Sequence, residues 1–333
     1  MNPHVKQLLD RSLFEPVRDF KCRQGKRIRG SLLQISFEMG GGIGDVPASV
    51  SDAIESLHAG SLVIDDVQDD SRSRRGHATM HHKIGVPLAI NAGNWMYFQA
   101  LECLSNSPLP AEIRSRLIEA MIHTARRCHE GQAIDIHARV DEVPVEHWEA
   151  TASAISLMKT GSLVELAVRM GCLAANAPDR LLSVLPGLGR RIGIALQMRN
   201  DLDELASIAL CRPGEQTDDT VRDDDLRNAR MTWPWVWASQ RTDHTKCQEW
   251  ALRLVRSPED RRQVARELFE RIGQYGDHVI ATLISEQLQL MAEHVIDQRL
   301  LDGVEEILQT IERPSCPVSL MEEIQAERTS EVI

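Results

Sequence analysis

Aromatic side chains are scarce in this chain of 333 residues, with Phe, Trp and Tyr making up 4% of it. Strand-rich domains lean on aromatic and β-branched side chains, so the scarcity argues against a β-barrel or sandwich. Paired cysteines are missing as well. Cys22, Cys103, Cys128, Cys172, Cys211, Cys247 and Cys316 are widely spread and contain no C-x-x-C spacing, which excludes a zinc knuckle and a disulfide framework. No apolar run approaches the roughly 18 residues needed to span a bilayer. The opening MNPHVKQLLDRSLFEP carries charges throughout and has no apolar signal core. A soluble, cytoplasmic protein without a membrane span is expected. Basic excess is also lacking, since 38 Lys+Arg stand against 49 Asp+Glu for a net charge of −11. A general nucleic-acid binder needs a basic face to neutralise phosphates, so no nucleic-acid partner is expected. A local cluster of cations can still hold a small phosphorylated molecule.

What the chain has in abundance is helical periodicity. Val50, Ile54, Leu57, Ser61, Leu62 and Ile64 recur at three-and-four spacing, and so do Ile113, Leu117, Ile118, Met121 and Ala125. Pro110 precedes the second run, where a helix can start. Further runs cover 146–176, 187–208 and 257–309, the last holding at least two helices. Glycine and proline punctuate them at Gly40–Gly44, Pro108–Pro110, Pro144, Pro178 and Pro213–Gly214. No segment alternates with period two, and no linker or repeat divides the chain. The expectation is one all-α domain over residues 1–317, with about ten or more helices, followed by a polar tail at 318–333.

Chemistry concentrates between His58 and Gly76. On a helix, His58, Leu62, Asp65 and Asp69 fall on one face. Asp65 and Asp69 are then like charges one turn apart near a helix end, an arrangement that costs a few tenths of a kcal/mol and that the helix dipole also disfavours. A solvated acidic helix end has the same pattern. Here, however, Arg74 and Arg75 follow within two turns. Carboxylates suit Mg²⁺, which takes one or two of them together with substrate phosphates. Arginines bind the same phosphates in bidentate fashion.

This block resembles the first aspartate-rich region of trans-isoprenyl diphosphate synthases: Glu55-x-x-His58, Ser61–Leu62, Asp65–Asp66-x-x-Asp69 and Arg74–Arg75–Gly76. Other blocks of that family follow its order. Gly25–Lys26–Arg27–Ile28–Arg29 resembles GKR-x-R, Gly131–Gln132-x-x-Asp135 resembles GQ-x-x-D, and Lys159–Thr160–Gly161 resembles KTG, where a helix is typically interrupted. Gln197 with Asn200–Asp201–Leu202–Asp203–Glu204 stands where the second aspartate-rich motif belongs, and Asp225–Leu226, Arg230 and Pro234 resemble the segment after it. The six blocks span residues 25–234.

The resemblance implies the all-α isoprenoid synthase fold and a Mg²⁺-dependent prenyltransferase that joins an allylic diphosphate to isopentenyl diphosphate, with three ions when diphosphate is bound and a homodimeric assembly. It implies Asp65, Asp66, Asp69, Asp201 and Glu204 as metal ligands. Arg74 and Lys159 would bind the allylic diphosphate, while Lys26, Arg29, His58 and Arg75 would bind that of isopentenyl diphosphate. Thr160 and Gln197 would turn dipoles towards the developing allylic cation, and Arg230 is carried over as substrate-binding.

The chain departs from the family in its second motif, where Asn200 replaces the first Asp. The expected loop at Ala206–Gln216 lacks a lysine, with Arg212 the nearest cation, Arg230 replaces a lysine, and Gly30 replaces a proline. Gln197, Asp201 and Glu204 still share a helical face. Two other readings follow from these departures: a class I terpene cyclase, and a catalytically weak subunit of a partner synthase. Product length offers a further expectation. Bulk four and five residues before the first Asp often sets the floor in this family. Ser61 and Gly60 are small, so a product of about C20 or longer is expected, with Trp95, Tyr97 or Phe98 on the next helix as a deeper floor or as ordinary core. His77, His81 and His82 are expected at the surface or at a helix start, without partners at metal-ligand spacing. Trp233, Trp235 and Trp237 are expected to pack in the core, and the acidic stretch from Asp218 to Asp225 to form a solvated, mobile loop.

Overall fold

The computed structural model describes residues 1–23, 28–210, 223–293 and 297–313. Lys26, Arg27, Cys211, Arg212, Cys316, the acidic stretch at 218–222 and the tail at 318–333 lie outside the described residues. The chain order is α1 (Pro3–Leu9), α2 (Glu15–Cys22), α3 (Ile28–Met39), α4 (Ala48–Gln68), α5 (Met80–Ile84), α6 (Val86–Ser105), α7 (Ala111–His137) and α8 (Trp148–Ser156). It continues with α9 (Ser162–Ala174), α10 (Asp179–Leu210), α11 (Asp224–Arg227), α12 (Trp233–Arg241), α13 (His244–Arg256), α14 (Arg261–Ala292) and α15 (Gln298–Glu312). The expected all-α architecture holds, save, among the described residues, for a short antiparallel hairpin of β1 (Ser73–Arg74) and β2 (His77–Ala78).

Local chemistry places the helix ends. Asn2, Asp243 and Asp297 each accept a hydrogen bond from a first-turn backbone N–H, and Pro47 and Pro110 precede α4 and α7. The run at 146–176 divides into α8 and α9 at a π-helical turn, Leu157–Gly161, so the KTG segment interrupts the helix by widening it. The run at 187–208 begins earlier than its spacing predicts. α10 starts at Asp179, passes through Pro186 and ends at Leu210, so the loop expected at Ala206–Gln216 is helical as far as Leu210. Buried Leu185, Leu188 and Ile192 carry the helix through the proline, whose missing N–H would otherwise weaken it.

The described residues pack into three apolar clusters. One joins α3, α4, α6, α7 and α9 through Leu33, Ile54, Leu117 and Leu166. A second joins α8, α10, α12, α13, α14 and α15, and holds the buried Trp233, Trp235 and Trp237 as expected. A third packs the N-terminal helices on α4, α5 and α6 through Phe20, Val63 and Met96. Buried Arg199 of α10 ties two of the last helices together. Its guanidinium donates to Asp277 at 2.6 Å and to the Ile311 carbonyl at 3.0 Å, at the end of α15. Among the described residues no helix is long and apolar enough to cross a membrane.

Candidate active site

Helices α4, α7 and α10 and the π turn line a cavity of about 1770 Å³. His58, Leu62, Asp65 and Asp69 all reach it, as their shared helical face predicts, and so do Gln197, Asp201 and Glu204. Lys159 and Thr160 join them from the π turn. Close approach of α10 depends on Gly193, where a Cβ would stand 2.7 Å from both the Gly161 Cα and the Thr160 carbonyl oxygen.

Cations grip the first acidic cluster. Asp65 accepts from Arg74 Nη2 at 3.2 Å and from Gln132 Nε2 at 3.1 Å, and Lys159 Nζ stands 3.7 Å away. Asp66, also read as a metal ligand, is fully buried, receives Arg74 Nε at 2.6 Å, and does not line the cavity. It therefore aims Arg74 in this structure. Asp69 pairs with Arg230, whose guanidinium also donates to the Asp135 carbonyl at 2.9 Å. Arg230 does not line the cavity, so it reaches the site through Asp69. Burial, reinforced by the charge of Asp65, pushes the Asp69 carboxyl above its usual pKa in spite of Arg230. Burial works against the Lys159 charge, but Asp135 and Asp65 outweigh it and raise the ammonium's pKa. Lys159 thus stays cationic, ion-paired to Asp135 of the GQ-x-x-D block.

The second cluster is organised around Asp201. Thr160 Oγ1 donates to Gln197 Oε1, Gln197 Nε2 donates to Asp201 Oδ1 at 2.7 Å, and the Trp233 N–H donates to Asp201 Oδ2 at 3.1 Å. Burial, then the charge of Asp225, holds the Asp201 carboxyl well above its ordinary pKa. Glu204 accepts from the Asp225 N–H at 2.7 Å. The solvated loop expected at Asp223–Asp225 is not what forms. Asp224 is buried and accepts from Ser71 Oγ at 2.5 Å, while Arg227 Nη2 donates to Asp224 and to the carbonyls of Asp69 and Asp70. A cation on the carbonyls just past the end of α4 complements that end of the helix dipole and ties the acidic segment to it.

A further group of cations lines the same cavity. Arg29 Nη1 donates to His58 Nε2 at 3.0 Å. Burial, then the charges of Arg29, Arg75 and Arg74, hold His58 well below its ordinary pKa, so the ring is neutral and its proton resides on Nδ1. Burial likewise lowers the Arg29 pKa to about 10. His58 Nδ1, Arg29 Nε, and Nε and Nη1 of Arg23 are buried without hydrogen-bond partners. Arg23, Arg29, His58 and Arg75 all line the cavity. Arg23 lies outside the six sequence blocks, and only folding brings it here.

The family model for polyprenyl synthetases matches residues 10–272 of this chain. The chain belongs to the polyprenyl synthetase family. It is accordingly a trans-prenyltransferase. A short chain isoprenyl diphosphate synthase of Methanothermobacter thermautotrophicus is 29% identical over 279 residues, which is 81% of each chain. A geranylgeranyl pyrophosphate synthase of Metarhizium anisopliae is 33% identical over 71% of this chain and 67% of its own. Among solved structures, a geranylgeranyl pyrophosphate synthetase from Pyrococcus horikoshii aligns with a TM-score of 0.74 at 23% identity, covering 92% of this chain and 91% of that one. A Caulobacter crescentus polyprenyl synthase aligns at 0.76 and 20% identity, over 95% and 91%.

Magnesium fits the donors of this family member. Asp65, Asp69, Asp201 and Glu204 offer hard oxygen atoms at one cavity, and Mg²⁺ needs only one or two carboxylates beside phosphate oxygens. Among the described residues, the group of three whose ligating atoms lie within 4.8 Å of one another is a different one: Asp70, His81 and His82. His81 and His82 stand in the first turn of α5, the helix start expected of them, with His81 buried and His82 exposed, and folding supplies Asp70 as the partner they lack in sequence.

The product-length argument from Gly60 and Ser61 is half corrected. Ser61 lines the cavity, but Gly60 does not. Gly60 is buried against α6, where a Cβ would meet the Gly93 carbonyl oxygen at 2.8 Å and the Tyr97 ring at 3.1 Å. Its smallness serves helix packing. Of the three aromatics on α6, Tyr97 lines the cavity, Trp95 packs edge-on to Phe14 at 5.7 Å, and Phe98 is exposed.

Proposed function

We propose that this prenyltransferase condenses an allylic diphosphate with isopentenyl diphosphate to give an all-trans prenyl diphosphate of about C20. The observation that carries this reading is the presence of two groups of cationic side chains in the lining of one cavity. Arg74 and Lys159 stand among the carboxylates, while Arg29, His58, Arg75 and Arg23 form a second group with unpartnered buried donors. Burying such donors is costly unless an acceptor arrives, and a diphosphate offers several. A cyclase would need only the first group, so the second favours elongation over cyclisation. Lys26 is proposed for the same group by resemblance alone.

Asp65 and Asp69, with Asp201 and Glu204, would hold Mg²⁺ against the allylic diphosphate, in a set of three ions. Bound there, the metal would neutralise charge on the leaving diphosphate. Arg74 and Lys159 add fixed positive charge at the same place, so the C–O bond can break with the electron pair leaving on pyrophosphate. Gln197 and Thr160 orient dipoles towards the allylic carbon. Arg29, His58 and Arg75 position isopentenyl diphosphate so that its double bond forms the new C–C bond. The proton lost from the adduct passes to the departing pyrophosphate, and no side-chain base is required.

Tyr97 is the proposed floor, since the Gly60 face is filled by α6. The neighbouring helices α6 and α7 expose Phe98 and Ile122, apolar surface that a homodimer in the cytoplasm would bury. The deciding assay supplies Mg²⁺ and an allylic diphosphate with and without isopentenyl diphosphate, using wild type and Arg29→Gln. Elongation should require the second substrate, and the variant should raise KM for isopentenyl diphosphate at least tenfold while leaving KM for the allylic substrate within twofold. Hydrocarbon or alcohol formed from the allylic substrate alone would overturn the reading.

A further inference from the structure

The Asp70, His81 and His82 group stands apart from the cavity lining and from the reaction proposed above. Folding builds it. Thr79 Oγ1 donates to the Ser71 carbonyl at 2.7 Å, and the Thr79 N–H donates to the Arg72 carbonyl at 3.1 Å. These bonds close the base of the β1–β2 hairpin and set α5 beside the end of α4. Asp70 follows the last residues of α4 in a left-handed conformation, φ +52°, which Asp tolerates better than most residues.

The second observation is His81 itself. It is 7% exposed, and neither ring nitrogen has a hydrogen-bond partner. Its Nε2 stands 3.7 Å from Asp70 Oδ1, too far for a hydrogen bond and suitable for a shared ion, and the His81 and His82 ring centroids are 4.5 Å apart. A buried imidazole with neither nitrogen hydrogen-bonded is unusual, and in a cluster of ligating groups a bound cation accounts for it.

We propose that Asp70, His81 and His82 form a zinc site, distinct from the magnesium carboxylates, that clamps the end of α4 to α5. Two imidazoles and one carboxylate suit Zn²⁺, with a fourth position open to water, whereas Mg²⁺ prefers an all-oxygen shell. Burial keeps His81 below its ordinary pKa, in the neutral form that ligates. A metal here spans the hairpin that carries Arg74 and Arg75, and one of its ligands adjoins Asp69. The site would hold that hairpin in register with the first acidic cluster.

The test is calorimetric titration of the full chain with Zn²⁺ in excess Mg²⁺. One equivalent should bind in wild type and in Asp65→Asn, and at least tenfold more weakly in His81→Gln, His82→Gln and Asp70→Asn. Cobalt in place of zinc should give visible absorption of a nitrogen-ligated ion, and this band should vanish in His82→Gln. His82 is exposed, so that variant retains its core, which circular dichroism checks. Zinc binding undiminished in both histidine variants would overturn the proposal. Loss of the equivalent in Asp65→Asn would do so too, by placing the zinc among the magnesium carboxylates.

Discussion

Replacing Gly60 with valine separates helix packing from control of product length. A Cβ at Gly60 would meet a backbone oxygen of α6 at 2.8 Å and the Tyr97 ring at 3.1 Å, and valine adds two methyl groups beyond it. Overpacking of this kind costs about 1–3 kcal/mol. The better helix propensity of valine over glycine returns roughly 0.5 kcal/mol, so a net loss of about 1.5 kcal/mol is expected. Unfolding entropy of about 2.1 cal/mol/K per residue, over 333 residues, comes to roughly 0.7 kcal/mol/K. The melting temperature should therefore fall by about 2 °C. Ser61→Phe is the companion variant, because Ser61 lines the cavity one residue away. It should shorten the product by at least one isoprene unit with little change in melting temperature. Differential scanning calorimetry and chromatography of dephosphorylated products read the two outcomes. A Gly60→Val protein as stable as wild type, making a shortened product, would refute the packing argument and restore Gly60 to the cavity wall.

Other expectations concern chemistry and pH. Asp65→Ala should lower kcat by about 10² or more, since it removes electrostatic support for the leaving group; near-normal elongation would sink the metal assignment. Tyr97→Ala should lengthen the product, and an unchanged product would place the floor elsewhere. The Asp201 pKa is raised on folding, so the native state holds its proton to higher pH than the unfolded chain does. That contribution to stability is present at acid pH and is lost as pH rises from about 4 through the raised value. The melting temperature of wild type relative to Asp201→Asn should decline across that window, and Mg²⁺, by favouring the ionised carboxylate, should reduce the decline. A wild-type-to-variant difference independent of pH would contradict the burial of this carboxyl.

The linear chain carried the all-α class and the one-face grouping of His58, Asp65 and Asp69, and of Gln197, Asp201 and Glu204. A helix repeats every 3.6 residues, so spacing alone sets which side chains share a face. Spacing does not say what that face meets. Arg230 reaches Asp69 across 161 residues, and Asp224 meets Ser71 across 153. Neither pairing has a local signal, which is why the spacing shows no partner for Arg230 and makes Asp224 part of a solvated loop. Gly60 and Ser61 are adjacent and looked equivalent, yet about 100° of helical turn puts one against α6 and the other at the cavity. Asp70 joined His81 and His82 only because the hairpin folds back. Periodicity, set by the backbone, was thus legible in the amino acids themselves. Which helix crosses which, at what distance, depends on side chains far apart in the chain packing together, and only the tertiary structure decided that.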